Sequence, residues 1–211
     1  MTRDRAVPIS VALFALLTAA SAAVYPGGSH CAPRAQRVDL ALNYFCDLHH
    51  RRAINGAPNA LGAALAQLGA LALVVAAARL WLRHPPRSAV RALGLASTVG
   101  AVLVPLTPSD RVGRLHTVAV LLAGVPGVAA VILAARAMPP RVRALGYAAM
   151  SLGAFDLGLY ATDIARGVGC DPLTAAAQKL VALLLVAWLI AADDVLRTRD
   201  VAGLTPRAGP P

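Results

Sequence analysis

Six long apolar stretches follow one another along this chain, and they limit its fold more than any other feature. They cover residues 7–25, 57–82, 89–106, 115–135, 142–165 and 173–196. Each is close to the ~20 residues that carry an α-helix across a ~30 Å hydrocarbon core. In lipid, a spanning segment must satisfy its backbone hydrogen bonds internally, which a helix does. The pattern therefore predicts an all-α fold, a polytopic transmembrane bundle of about six membrane-spanning helices.

The composition favours a membrane protein over a soluble helical bundle. Of the 211 residues, 58% are hydrophobic and 14% are charged, whereas soluble domains average about 45–50% apolar and about 25% charged residues. The chain has no Glu and a single lysine, Lys179, although the surface helices of soluble proteins rely on both residue types. We expect one transmembrane domain over residues 1–199, short loops apart from an outer loop at 26–56, and a disordered tail at 200–211.

The net charge of +10 comes from basic residues at the edges of the apolar stretches rather than from one patch. This distribution predicts contact with membrane lipids and no nucleic-acid binding. If the amino terminus is cytoplasmic, twelve arginines fall on the cytoplasmic side and eight basic residues on the other. The bias predicts a multi-pass protein of the cell (inner or plasma) membrane with both termini in the cytoplasm.

The three cysteines, Cys31, Cys46 and Cys170, all fall on the predicted outer side of the membrane. Disulfides persist on that side, so their placement supports the same orientation. A Cys31–Cys46 bridge would close the outer loop, and Cys170 could instead pair with either of the other two.

The first apolar stretch has two interpretations. Its basic start and the small residues at 20–23 are typical of a cleaved signal peptide. The apolar part is longer than a usual signal core, so we favour a retained helix. The topology of the remaining chain is the same in both cases.

The outer loop is too long and too rich in aromatic and polar residues for a simple linker. We expect a folded cap with a short interfacial helix around residues 38–48. Asn-Gly at 55–56 indicates a turn, and an Asn at 59 is suited to cap the second helix. The polar residues of this outer-loop cluster are Asp47, His49, His50, Asn55 and Asn59.

A second polar group lies between the third and fourth stretches, on the same outer side. Asp110 and His116 are close enough in sequence to meet across this turn. One hypothesis is a catalytic acid/base pair or a metal site, with zinc bound by His49, Asp110 and His116. The alternative is structural: Ser109 or Asp110 caps the fourth helix, and His116 bonds a carbonyl.

The fifth stretch carries three polar residues on one helical face, because Asp156, Tyr160 and Asp163 are spaced i, i+4 and i+7. Gln178 and Lys179 lie one to two turns into the sixth stretch. Charges at such depth pair with one another or line a wet cavity. We expect Lys179 to reach towards both aspartates, either as a structural ion pair or as the floor of an outward-opening polar cavity.

Several of these features occur in an order that resembles a known family. They are Asn43-Tyr-Phe-Cys-Asp-Leu48, Asn55-Gly-Ala-Pro-Asn59, Leu-Thr-Pro-Ser-Asp110 ahead of His116, and the aspartates of helix five. Over most of residues 7–196 the chain resembles a prokaryotic family of short six-helix membrane proteins catalogued as domain of unknown function 998. The resemblance implies a fold and a membrane location but no activity. Membrane hydrolases of the ceramidase type also place Asp and His around zinc, but this chain lacks the paired histidines of their final helix.

Three functions fit these observations. The first is a small lipid- or solute-binding bundle or accessory subunit, with a membrane-protein partner or as a homo-oligomer. The second is a membrane-embedded hydrolase, with or without a bound metal. Its chemistry would be carried by Asp110, His116, Asp163 and His49. The third is a small transporter that uses Asp156 and Lys179 as a relay, although the chain has no detectable internal repeat.

Overall fold

Helices make up nearly all of the regular structure. The computed structural model describes residues 5–167 and 171–201, without the side chains of residues 200 and 201. Within these ranges the fold is all-α and contains no strand, which confirms the predicted class. The long helices are α1 (Ala6–Val24), α2 (Ala60–Leu82), α3 (Ala89–Leu106), α4 (Ser109–Arg136), α5 (Pro140–Arg166) and α6 (Pro172–Val201). A 3-10 helix at Phe45–His49 lies between α1 and α2.

The six helices form a closed ring. Each helix packs against the next one along the chain, and α6 returns to contact both α1 and α2. Successive helices run in opposite directions, so the ring has two ends. We call them the cap end, where α1 ends and α2 begins, and the termini end, where α1 begins and α6 ends.

Five of the helices have the length and apolar composition needed to cross a membrane. They are α1, α2, α3, α4 and α6, whose most apolar windows have mean hydropathies between 1.7 and 2.5. Large apolar side chains are exposed around the ring, such as Leu16 at 65% and Leu183 at 67%. The chain is therefore a multi-pass membrane protein. The remaining predicted span, α5, is less apolar because it carries Asp156, Asp163 and three arginines.

Most helix boundaries lie within a few residues of the prediction. α3 has the predicted limits, whereas α4 begins at Ser109 rather than near residue 115. Val112, with φ of −138° and ψ of 52°, interrupts the early part of α4. Farther along, the helix continues through Pro126. Residues 200 and 201 of the predicted tail belong to α6, and residues 202–211 lie outside the described residues.

The main apolar core lies towards the termini end and joins α2, α4, α5 and α6. Its centre is a pair of indoles, Trp81 and Trp188, whose ring centroids are 6.0 Å apart. Both side chains are buried. Large aromatic groups dominate the energetics of such cores, so this pair fixes the packing of the four helices at one end of the ring.

A buried carboxylate reinforces the termini end. Asp193 is 1% exposed and lies 3.0 Å from the Nε atoms of both Arg83 and Arg197. These partners compensate a charge that would otherwise be costly to bury, and they join α2 to α6. The adjacent Asp194 is 73% exposed, whereas Asp193 belongs to the interior.

α3 and α4 approach each other closely enough for their backbones to touch. A Cβ atom at Gly100 would lie 2.3 Å from the backbone nitrogen of Ala123. One turn away, the Ser97 hydroxyl donates a hydrogen bond to the Ala123 carbonyl at 2.6 Å. Small residues and interhelical hydrogen bonds hold helices together in membranes, and both are present at this contact.

Replacement of Gly100 by Ala should separate α3 from α4. We expect a net loss of stability, because overpacking costs about 1–3 kcal/mol and the gain in helix propensity is at most about 1 kcal/mol. Gly113 is the matched control, since a Cβ there meets nothing within 4 Å. Thermal unfolding in detergent measures both variants. Equal stability of Gly100→Ala and Gly113→Ala would contradict the close approach.

Candidate functional site

The segment 26–59, which we call the cap, folds over one end of the ring. Its 3-10 helix packs Leu48 against Tyr25, Ala53 and Ala66 in a small apolar cluster. Of the short interfacial helix expected around residues 38–48, only the end is helical: the cap has a 3-10 helix at Phe45–His49, and residues 38–44 are not helical. The expected turn at 55–56 is present, with Gly56 at a φ of 86°.

A buried carboxylate organises the cap. Asp47 is 2% exposed and accepts hydrogen bonds from Asn43 Nδ2 and the backbone nitrogen of Tyr44, each at 2.9 Å. The His30 ring lies 3.7 Å away. Asn43 also donates to the Gly28 carbonyl at 2.7 Å. Asp47 is thus saturated by cap residues, and its role is structural.

The remaining polar residues of the outer-loop cluster also hold the cap together. Asn59 precedes α2, but its side chain donates to the His50 carbonyl at 2.9 Å instead of capping the helix. Asn55 donates to the carbonyls of Pro26 and Ala35. The His50 ring bonds the Ser109 hydroxyl at 2.8 Å, which attaches the cap to the start of α4.

Two residues of α6 attach the cap on the other side of the ring. Gln178 Oε1 accepts a hydrogen bond from the backbone nitrogen of Phe45 at 2.8 Å. The Lys179 ammonium donates to the carbonyls of Asn43 and Ala175. In the described part of the chain no ion pair links Lys179 to an aspartate, so the expected reach of Lys179 towards both carboxylates is wrong. Carbonyl oxygens of the cap are closer and take its protons.

The three polar residues of α5 have separate partners. The Asp163 carboxylate accepts from the Thr174 hydroxyl at 2.8 Å, and the Tyr160 hydroxyl lies 3.5 Å from that of Thr117. The Asp156 carboxylate accepts no hydrogen bond from any described residue. Of the three, only Asp156 lines the internal cavity described below.

His116 is buried, and its neighbour is a cysteine rather than Asp110. Its Nδ1 lies 2.8 Å from the Thr107 carbonyl, and its Nε2 lies 3.2 Å from Cys46 Sγ. The Asp110 side chain is exposed and forms no hydrogen bond or ion pair with His116. The expected Asp110–His116 pair is therefore wrong: the helix start directs Asp110 outward and His116 inward. The described residues also contain no cluster of three His, Cys, Asp or Glu side chains suited to a metal, so zinc stays a prediction.

The cysteines differ in state. Cys31 is disulfide-bonded, whereas Cys46 carries a free thiol. The predicted alternative in which Cys31 pairs with Cys46 is thus wrong, because the Cys46 sulfur faces His116 instead. Cys170, the third candidate, lies outside the described residues.

Burial controls the protonation of two side chains in the 3-10 helix. It raises the pKa of the Cys46 thiol to about 12, and the charge of the neighbouring Asp47 acts in the same direction. It also lowers the pKa of the His49 imidazole to about 4, with smaller effects from His116 and His50. At neutral pH the cap therefore presents a neutral thiol and a neutral imidazole.

An internal cavity of about 370 Å³ lies inside the ring beneath the cap. All six helices and the 3-10 helix contribute to its wall, which is mostly apolar. The polar lining residues towards the cap end are Thr18, Cys46, His49, Asp156 and Gln178. Small residues face it along the helices, among them Ala70, Ala101, Gly153 and Ala182.

Sequence reasoning identified Asp156, Gln178 and His49 as polar residues near this end and offered a polar cavity there as one alternative, but it did not predict a mostly apolar cavity that extends down the ring to Trp81. It also missed the contact between Cys46 and His116, which are separated by 70 residues. The abundance of Gly and Ala in the spans was the available signal, since small side chains on facing helices leave either close contacts or space. Nothing in the sequence distinguishes these two outcomes.

Comparison of the chain with protein-family models, curated proteins and solved structures found no match. The resemblance to the family with domain of unknown function 998 therefore stays a prediction. Function has to be argued from the cavity and the residues that line it.

Stability should fall as the pH drops from about 6.5 towards about 4, partly because of His49. In this range the unfolded chain binds a proton at His49 while the folded chain, with a pKa of about 4, does not, so stability rises with pH. The free energy of unfolding of the wild type should fall between about pH 7.5 and about pH 5. In His49→Gln this fall should be smaller by about 2 kcal/mol. Thermal unfolding in detergent at the two pH values measures it.

The reference for this measurement is the wild type, unfolded in the same detergent at the same two pH values. If His49→Gln and the wild type lose stability equally on acidification, the buried neutral state of His49 is wrong.

Proposed function

We propose that this protein binds one apolar chain of a lipid or lipid-like solute inside its helical ring. The observation that carries the proposal is the largely apolar cavity of about 370 Å³ inside the ring. Small-molecule sites typically have volumes of about 300–1,000 Å³ and apolar walls with a few polar groups. The cavity has both properties.

The dimensions of the cavity favour an extended chain. On α2 the lining residues run from Ala66 to Trp81, a distance of about 22 Å at a rise of 1.5 Å per residue. Spread over that length, the volume corresponds to a mean cross-section of roughly 17 Å². A single hydrocarbon chain fits such a shape better than a fused ring system does.

The distribution of polar groups favours an amphipathic ligand with a defined direction. Ser97 and Thr98 line the middle of the cavity, but their hydroxyls donate to the carbonyls of Ala123 and Gly94. The middle of the wall is therefore effectively apolar. Among the lining residues, the buried side-chain atoms without a hydrogen-bond partner in the described chain are His49 Nδ1 and Asp156 Oδ1, and both lie towards the cap end. We infer that the polar end of the ligand lies beneath the cap and its chain points to Trp81.

We place the protein in the inner or plasma membrane of a prokaryotic cell, with the cap outside and both termini in the cytoplasm. The bonded state of Cys31 in the cap supports this orientation, because disulfides persist outside the cytoplasm. The excess of basic residues on the opposite side supports it as well. Ligand binding is compatible with a role as an accessory subunit of a membrane-protein partner or as a homo-oligomer.

The geometry favours neither alternative function as first formulated. A relay between Asp156 and Lys179 lacks a direct contact, since the Lys179 ammonium is bound to two carbonyls. A hydrolase centred on Asp110 and His116 lacks the pairing of these two side chains. Lipid binding requires neither arrangement.

Tryptophan fluorescence tests the proposal, because both tryptophans of the chain lie at the termini end and Trp81 lines the cavity. Hexadecanol brominated at its methyl end should quench this fluorescence saturably in detergent. The isomer brominated next to the hydroxyl should quench it less, because its bromine stays near the cap. Ala182→Phe, inside the cavity, should abolish saturable quenching by filling the space.

Ala187→Phe is the matched control, because Ala187 lies on the same helix and faces outward. The fluorescence of this variant should be quenched by the brominated alcohol as strongly as that of the wild type. Absence of saturable quenching in the wild type, or equal behaviour of Ala182→Phe and Ala187→Phe, would contradict chain binding in the cavity. Equal quenching by the two bromo isomers would contradict the proposed direction of the ligand.

A further inference from the structure

A thiol and an imidazole meet at the cap end of the cavity. Cys46 lines the cavity, and its Sγ lies 3.2 Å from His116 Nε2. The other ring nitrogen, Nδ1, lies 2.8 Å from the Thr107 carbonyl. A carbonyl oxygen only accepts, so Nδ1 carries a hydrogen and Nε2 directs its lone pair at the thiol. A nucleophile, a base and a group that orients the base are thus in hydrogen-bond contact.

An amide donor lines the same end of the cavity as Cys46. The Oε1 atom of Gln178 is occupied by the backbone nitrogen of Phe45 at 2.8 Å. This bond fixes the orientation of the carboxamide, so its NH₂ group is the part left to donate to another partner. A donor at that place can stabilise the oxyanion that forms when a sulfur attacks a carbonyl carbon.

A second imidazole at the same end has no structural partner. His49 is 7% exposed and lines the cavity, and its Nδ1 is buried without a hydrogen-bond partner among the described residues. Buried polar groups without partners are rare in folded proteins. Here the unused nitrogen belongs to the wall that contains Cys46 and Gln178, so a polar group of a ligand can satisfy it.

We propose that Cys46 accepts an acyl group from a long-chain acyl ester whose chain occupies the cavity. The inference rests on the proposed chain-binding function and adds a chemical step to it. Cys46 is the nucleophile, His116 the general base, and Gln178 the oxyanion donor. The Thr107 carbonyl is a positioning group for His116.

The step is balanced without an oxidant or a metal. As the sulfur attacks the ester carbonyl carbon, the thiol proton moves to His116 Nε2 and a carbon–sulfur bond forms. The tetrahedral oxyanion is held by the Gln178 amide. The bond from the carbonyl carbon to the alcohol oxygen then breaks, and that oxygen takes the proton from His116. The products are an acyl thioester on Cys46 and a free alcohol.

Proton removal by His116 during the attack is needed because burial raises the pKa of the Cys46 thiol. Without the base, such a thiol is a poor nucleophile. The mechanism therefore makes the reaction of Cys46 dependent on His116 and on a chain that holds the carbonyl in place. A purely structural role, in which the Cys46–His116 bond only attaches the cap to α4, predicts neither dependence.

The experiment uses the full chain in detergent with p-nitrophenyl palmitate and p-nitrophenyl acetate as probes. Intact mass and peptide mapping measure acylation of Cys46, and nitrophenolate release gives its rate. We expect one palmitoyl group on Cys46, removable by neutral hydroxylamine, and no adduct on Cys46→Ala. The palmitoyl ester should react faster than the acetyl ester in the wild type.

Conservative variants separate the chemical role from a structural one. His116→Gln should slow acylation by about 100-fold or more. Gln178→Glu retains an acceptor for the Phe45 backbone nitrogen but removes the amide donor, and should slow it by about 100-fold. Ala182→Phe should remove the advantage of palmitate over acetate, whereas Ala187→Phe should keep it. Each variant is compared only after its thermal unfolding shows a folded protein.

Two results would overturn the inference: a folded wild type without a Cys46 adduct, or equal rates for the wild type and His116→Gln. If the brominated alcohol still quenches tryptophan fluorescence in that case, chain binding stands and only the acyl-transfer step fails. If quenching is absent and palmitate has no advantage over acetate, the proposed function fails together with the inference.

Discussion

Hydrogen bonds between the cap and the ring hold the polar end of the cavity in place, and the candidate site depends on them. Gln178 accepts from the Phe45 backbone, Lys179 donates to the Asn43 carbonyl, and His50 bonds Ser109. In a low-dielectric environment each such bond is strong, and a lost partner is costly. The cap is therefore positioned by bonds to α4 and α6 in addition to the packing of its short helix against α2. The residues that attach it also bring Cys46, His49 and Gln178 to the same wall.

The two ends of the ring use side-chain volume in opposite ways. At the termini end, Trp81 and Trp188 fill the interior, and Asp193 joins two arginines across the helices. Towards the cap, alanines and glycines face one another and leave space. Where a backbone can come close, as at Gly100, the small residue yields a contact; where the cap and the indoles hold the helices apart, it yields a cavity. The same composition produces both results.

Local patterns predicted the parts of this structure that depend on local physics. The limits of α3 and the common face of Asp156, Tyr160 and Asp163 follow from hydropathy and helical periodicity. Partners could not be predicted in the same way. Lys179 bonds a carbonyl 136 residues earlier in the chain, and His116 meets a thiol 70 residues away. Such contacts depend on how the ring closes and on where an irregular cap lies, and neither has a periodic signal in the sequence.

The order of the helices around the ring has a consequence for biogenesis. Because each helix lies beside its predecessor, newly inserted segments find their neighbours without passing one another, and contacts that are short in sequence form readily. The last helix is the exception, since α6 both closes the ring against α1 and carries Gln178 and Lys179. During synthesis, the cap therefore emerges long before the helix that seats it. Without its last helix the chain lacks the part of the cavity wall that Gln178, Val181 and Leu185 supply, so the chamber is completed only when α6 inserts.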